Sequence, residues 1–142
     1  MAREGLEVFD KTLQTTHIWL KRLMEELHTD DRQQASLALR AVLHALRDNL
    51  TVEEAAHLGA QLPMLVRGIY YESWNPAKTP ARERSRQAFL DHGGRVLPGA
   101  FAYDAEMASR AVFRGLSERV DAGEIADVKG MLPGDVRTLW PS

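Results

Sequence analysis

The chain has no cysteine, which excludes thiol catalysis, disulfides and cysteine-ligated zinc. No run of 18 apolar residues occurs, and the amino terminus, MAREGLEVFDKTLQTTHIWL, is broken by Arg3, Glu4, Glu7, Asp10 and Lys11. Neither a secretory leader nor a membrane span is expected. An excess of one charge is missing too. The 18 Lys and Arg stand against 20 Asp and Glu, for a formal net charge of -2, which gives phosphate backbones no long-range attraction to the molecule as a whole. No serine sits in a G-x-S-x-G context, no glycine loop could cradle a phosphate, and no stretch alternates like a strand. These absences point to a cytoplasmic protein with no nucleic-acid and no membrane partner. What is present, 44% hydrophobic and 27% charged residues in 142, is the composition of one packed domain over residues 1–142.

The chain is also written twice. ASLALRAVLHALRDNLTVEEAAHLGAQLPMLVRGIY, residues 35–70, aligns without a gap on AEMASRAVFRGLSERVDAGEIADVKGMLPGDVRTLW, residues 105–140, and 12 of the 36 pairs are identical. Typical residue frequencies would give roughly two or three matches. Several other pairs are conservative, among them Leu43 with Phe113, Asp48 with Glu118 and Tyr70 with Trp140. The offset reaches upstream to Trp19 with Phe89 and Leu20 with Leu90, so the wider halves run from about 5–75 and 79–140.

Periodicity says what each copy encodes. Phe9, Leu13, Leu20, Leu23 and Leu27 form one apolar stripe; Leu39, Val42, Leu43, Leu46 and Leu50 form a second; Val112, Phe113, Leu116 and Val120 repeat the second. Thr51 precedes Glu54 by three positions and Asp121 precedes Glu124 by three, the pattern of a capping box. Leu-Pro at 62–63 and again at 132–133 suits the start of a further short helix. Between the copies, Thr79 before Pro80 predicts a cap for a helix over about 80–91, Gly93, Gly94, Pro98 and Gly99 predict a loose connection, and Asp104 predicts the next cap. The basic run Lys78, Arg82, Arg84 and Arg86 reads as the solvated face of that helix. The expected fold is all-α, with about eight helices in two tandem pseudo-symmetric repeats packed as one bundle-like domain.

The segments FDKTLQTTHIWLKRLMEEL, TDDRQQASLALRAVLHALRDNLTVEEAAHLGAQLPMLVRGIYYESW, and AGEIADV followed by LP and DVRTLWP resemble the bacterial family catalogued as domain of unknown function 2267. The resemblance covers nearly the whole chain. It implies a small helical bacterial protein without an assigned activity, and it brings no catalytic residues with it.

Glu54 and His57 form a Glu-x-x-His spacing, half of the ligand set of a di-iron carboxylate bundle, and the second copy offers Glu124 and Asp127. Capping accounts for both glutamates without requiring distant side chains to converge. No metal is therefore expected, with Glu54, His57, Glu124 and Asp127 as the weaker alternative. Arg40 recurs as Arg110 and Arg67 as Arg137. Arginines repeated in this way predict anchors for a local acid such as Glu54 or Glu124, or for helix-end carbonyls. Tyr70 shares the stripe of Leu62, Leu65, Val66 and Ile69 and belongs in the core; Tyr71 and Trp74 lie beside it, where they cover a neighbouring helix or face a partner. His17, His28, His44 and His92 have no spacing that gathers them on one helical face.

The leading expectation is a non-enzymatic module, needing no cofactor, that binds another protein, a second copy of the chain being one candidate. The alternative is a small-ligand or anion-binding protein, or an enzyme, with a cleft at the seam between the repeats. Arg67, Arg137, Tyr71 and Trp74 are the candidate contact residues for either.

Overall fold

The computed structural model describes residues 2–97 and 103–141, with side chains from residue 5 onward except that of Val96. Eight α-helices span the described residues: α1 (Ala2–Leu27), α2 (Arg32–Asp48), α3 (Val52–Gln61), α4 (Met64–Tyr71), α5 (Arg86–Val96), α6 (Ala105–Arg119), α7 (Ala122–Met131) and α8 (Gly134–Arg137). A 3-10 turn at Pro76–Lys78 joins α4 to the linker, and no strand occurs among the described residues. No described helix is long and apolar enough to cross a membrane.

The stripes read from spacing become the core. Leu39, Val42, Leu43, Leu46 and Leu50 are buried on the α2 side, facing Val112, Phe113, Leu116 and Val120 of the α6 segment. α2 packs against α1, α4, α5 and α6, while α6 packs against α1, α2, α5 and α7. α3 lies against α7. Only the second part of α1 joins this core: Trp19, Leu20, Leu23 and Leu27 are buried, whereas Leu6, Phe9 and Leu13 stay exposed. His28, at φ 54, turns the chain out of α1, and the amides of His28 and Thr29 bond back to the carbonyls of Glu25 and Met24 at 3.2 and 3.0 Å. That pair closes the helix as a Schellman motif with histidine where glycine is usual.

Ion pairs tie distant parts of the chain together. Arg22 of α1 donates from Nε to Glu118 of α6 at 3.0 Å, and His92 of α5 meets Asp48 of α2 at 2.8 Å. The Arg22 hydrogen bond holds the Glu118 carboxyl below the usual carboxylate range. Burial works to raise the Asp48 carboxyl, but the hydrogen bonds from His92 and Arg47 outweigh it and hold it low; the bond to Asp48 in turn raises the His92 imidazole against its own burial.

The linker departs from expectation. α5 starts at Arg86, and Ser85, not Thr79, caps it, its Oγ accepting from the Ala88 amide at 3.1 Å. Thr79 Oγ1 accepts instead from the Trp74 indole at 3.1 Å. Residues 81–84 are drawn across the body, because the Ala81 amide donates to Asp48 O at 2.7 Å and the Arg84 guanidinium donates to Asn49 O and Met131 O. The basic run is therefore not the solvated face of a helix. Arg86 pairs with Glu106 and donates to Thr138 Oγ1 at 2.7 Å. Gly93 and Gly94 lie inside α5 rather than in a loose connection. Each costs up to about 1 kcal/mol of helix propensity, which the Ser85 cap and the burial of Phe89 offset. Pro98 and Gly99 lie outside the described residues.

Candidate functional site

The site grows from two helix starts. Thr51 Oγ1 accepts from the Glu54 amide at 3.2 Å, and Asp121 Oδ2 accepts from the amides of Gly123 and Glu124 at 3.0 and 3.3 Å. Both predicted caps are present. The reciprocal half of each box is not: among the described residues, neither glutamate carboxylate returns to the amide of its cap. As the third residue of its helix, each instead turns inward, and the packing of α3 on α7 brings Glu54 and Glu124 face to face.

Glu54 is only 6% exposed, and its Oε2 has no hydrogen-bond partner; the same holds for Glu124 Oε1. Two carboxylates cannot donate to each other, so the pair is satisfied from within only when one proton lies between them. Burial, followed by the hydrogen bond and the negative charge of Glu54 and then by the charges of Asp127 and Asp121, pushes the Glu124 carboxyl up to about 8. His57, one turn along α3, brings Nδ1 to 3.9 Å from Glu54 Oε2 while most of its ring faces solvent. One ligand atom from each of Glu54, His57 and Glu124 falls within 4.8 Å of the other two. Asp127 is exposed and adds its charge without joining that set. The buried Tyr70 closes the neighbourhood, its hydroxyl donating to Ala55 O at 2.8 Å. Burial, with smaller contributions from Tyr71, Glu124 and Glu54, keeps its phenol protonated well beyond the usual tyrosine range.

The other candidate residues are dispersed. Arg67 gathers the carbonyls that end α3, donating from Nε to Gly59 O at 2.9 Å and from Nη2 to Leu62 O at 2.8 Å and Ala60 O at 3.3 Å. Arg137 donates from Nε to Leu132 O at 3.0 Å at the end of α7. Of the partners expected for them, the helix-end carbonyls are the ones engaged. The two arginines line separate surface hollows: Arg67 beside Trp19, Pro63 and Glu118, Arg137 beside Lys129, Gly134 and Thr138. Arg40 pairs with Glu72, and Arg110 donates to Thr138 O at 3.1 Å, each reaching from its long helix to the end of the short one. Tyr71 and Trp74 pack against the core with ring centroids 5.4 Å apart. The tip of Tyr71 lies over Gly59, where an added Cβ would overlap the hydroxyl and the ring carbon that bears it.

Arg47 carries no signal in the sequence. It is buried, donating from Nη1 to Tyr70 O and Glu72 O at 2.8 Å each and from Nε to Asp48 Oδ1 at 2.9 Å. Its carbonyl partners are 23 and 25 positions away, and no local spacing signals them. His92 was likewise unreadable, since its partner Asp48 lies 44 positions off.

A family model described as "Uncharacterized conserved protein (DUF2267)" matches residues 16–139. The match spans most of the molecule, and the chain belongs to this family. No curated protein matches it.

Proposed function

We propose that the chain is a non-enzymatic helical module that acts by protein association, the partner being a second copy bound along the amino-terminal half of α1. One observation carries this reading. Leu6, Phe9 and Leu13 are 62%, 62% and 48% exposed, yet they share a helical face with the buried Leu20, Leu23 and Leu27. A single apolar stripe thus continues out of the core into solvent, which marks an interaction surface. At 1.5 Å per residue the 26-residue α1 is about 39 Å long, and the core takes it up only from Trp19. A twofold contact lets the stripe cover its own copy without any second surface.

Sedimentation equilibrium tests it. The wild type is expected at twice the 16.0 kDa chain mass, and a Leu6→Glu/Phe9→Glu variant at the chain mass with unchanged helical circular dichroism. A wild type that stays monomeric, or a variant that stays dimeric, overturns the proposal.

We further read the single domain as two tandem pseudo-symmetric repeats, 35–70 with 105–140. Two of the ion pairs between distant helices support this, because a shift of 70 converts Arg22–Glu118 into His92–Asp48 with the helices exchanged (22 to 92, 118 back to 48). So does the packing, where α1 against α6 answers α5 against α2, and α2 against α6 and α3 against α7 are each their own counterpart. Lack of cysteine and a net charge of -2 support a cytoplasmic protein with no nucleic-acid partner, and the family resemblance supports a bacterial one. The rival reading, a ligand cleft at the seam lined by Arg67, Arg137, Tyr71 and Trp74, draws less support: both arginines are engaged by carbonyls and both rings lie on the core.

A further inference from the structure

We propose that Glu54, His57 and Glu124 bind one divalent transition-metal ion of the manganese-to-zinc series at the junction of α3 and α7. The caps do not occupy either carboxylate: Thr51 and Asp121 accept from the Glu54 and Glu124 amides, and among the described residues neither glutamate side chain returns to the amide of its cap. Glu54 is nine-tenths buried, and its Oε2 faces the cluster with no hydrogen-bond donor. Glu124 Oε1 is in the same condition on the opposite helix. A cation supplies to both oxygens what, without it, only a proton shared between the two carboxyls supplies.

The distances fit a shared ion. Metal bonds of about 2.0–2.2 Å put two ligand atoms up to roughly 4.2 Å apart, and His57 Nδ1 is 3.9 Å from Glu54 Oε2. The widest separation within the set is no more than 4.8 Å, which side-chain rotation closes. Two carboxylates balance the charge of a divalent ion, and the exposed Asp127 adds to the negative field around them. An imidazole nitrogen among three ligands favours the later transition metals over calcium or magnesium, which prefer all-oxygen shells. Because His57 stands on the solvent side, the ion has an entry path and keeps water in its remaining positions.

The full chain, stripped with a chelator, is titrated with Zn²⁺, Mn²⁺ and Mg²⁺ by calorimetry, with thermal unfolding followed in parallel. Wild type is expected to bind one equivalent of Zn²⁺ or Mn²⁺ and to melt higher with it, while Mg²⁺ binds far more weakly. Glu124→Gln is expected to weaken binding at least tenfold and to cancel the melting shift. His57→Ala removes an exposed side chain, so it keeps the test valid even where the glutamate variant unfolds; it is expected to lose about tenfold. No stoichiometric binding by wild type, equal affinity in wild type and His57→Ala, or equal affinity for Mg²⁺ each overturns the proposal. The outcome is independent of self-association through α1, which the oligomeric state reads separately.

Discussion

The segment α2–α4 and the segment α6–α8 solve the same problem by different chemistry. In both, an oxygen caps the middle helix, a proline stands just before the short helix, and an arginine closes on the carbonyl of the leucine before it. What differs is how the short helix is tied to the long one. In the first, buried Arg47 collects the carbonyls of Tyr70 and Glu72, and the Tyr70 hydroxyl reaches Ala55 O. In the second, Ser117 stands at the position of Arg47, and Trp140 stacks on Phe113 at 4.1 Å with an interplanar angle of 6°. The Trp140 indole N–H finds no partner. Features dictated by backbone donors and acceptors recur, because few residues can meet them. Ties between side chains are interchangeable, since polar anchoring and aromatic stacking can each hold a helix end.

The sharpest way to break this comparison is to remove the polar tie. Arg47→Ala is expected to cost about 3 to 5 kcal/mol, because it strands two carbonyls and leaves the Asp48 carboxylate with His92 alone, whereas Ser117→Ala should stay within about 0.5 kcal/mol. Urea unfolding of both variants measures the difference; similar losses would mean that the two ends are held alike. Next in size is Gly59→Ala, whose methyl would collide with the Tyr71 ring. A cost of about 1 to 3 kcal/mol is expected, against less than about 0.5 for Lys129→Ala at the matching position. The caps should behave as equals: Thr51→Ala and Asp121→Ala are each expected to lose about 0.5 to 2 kcal/mol in thermal melts.

The smallest effect separates the two ion pairs by pH. The raised His92 pKa gives stability that is full below the usual imidazole value near 6.5 and is lost as pH rises through the folded value. The lowered Asp48 pKa gives stability that is full above the usual carboxylate value near 4 and is lost as pH falls through its folded value. Their pair, with Arg47 and Arg95 as the nearby cations, therefore contributes most between about pH 4 and 6.5. His92→Ala should cost about 1 kcal/mol at pH 5.5 and less at pH 9. Arg22–Glu118 has no group that discharges over that range, so the penalty for Arg22→Ala should not change between the two conditions. A His92 penalty equally flat with pH would remove the distinction.

Local signals were legible in the sequence and long-range ones were not. The stripes of α2 and α6, the caps at Thr51, Asp104 and Asp121, and the core position of Tyr70 all follow from spacing within a few turns. The start of α5 did not, because Thr79 competes well as a cap on paper and loses only when the Trp74 indole takes its hydroxyl. Glu-x-x-His at 54–57 is visible in the sequence, but capping accounts for a glutamate there without any distant partner. The turn of Glu54 toward Glu124 emerges only once α3 lies on α7, across 70 positions of chain (124 minus 54). The exposed half of the α1 stripe was equally invisible, since Phe9 and Leu13 carry the same pattern as the residues the core does cover.

α1 and α5 each lie across both α2 and α6, and this shared packing has a consequence for how the chain comes apart. Neither segment owns the surface that completes it, so a fragment cut from the rest would carry a bare groove shaped for the missing piece. Denaturation should then proceed as one all-or-none event, and separately made fragments should need each other to become structured.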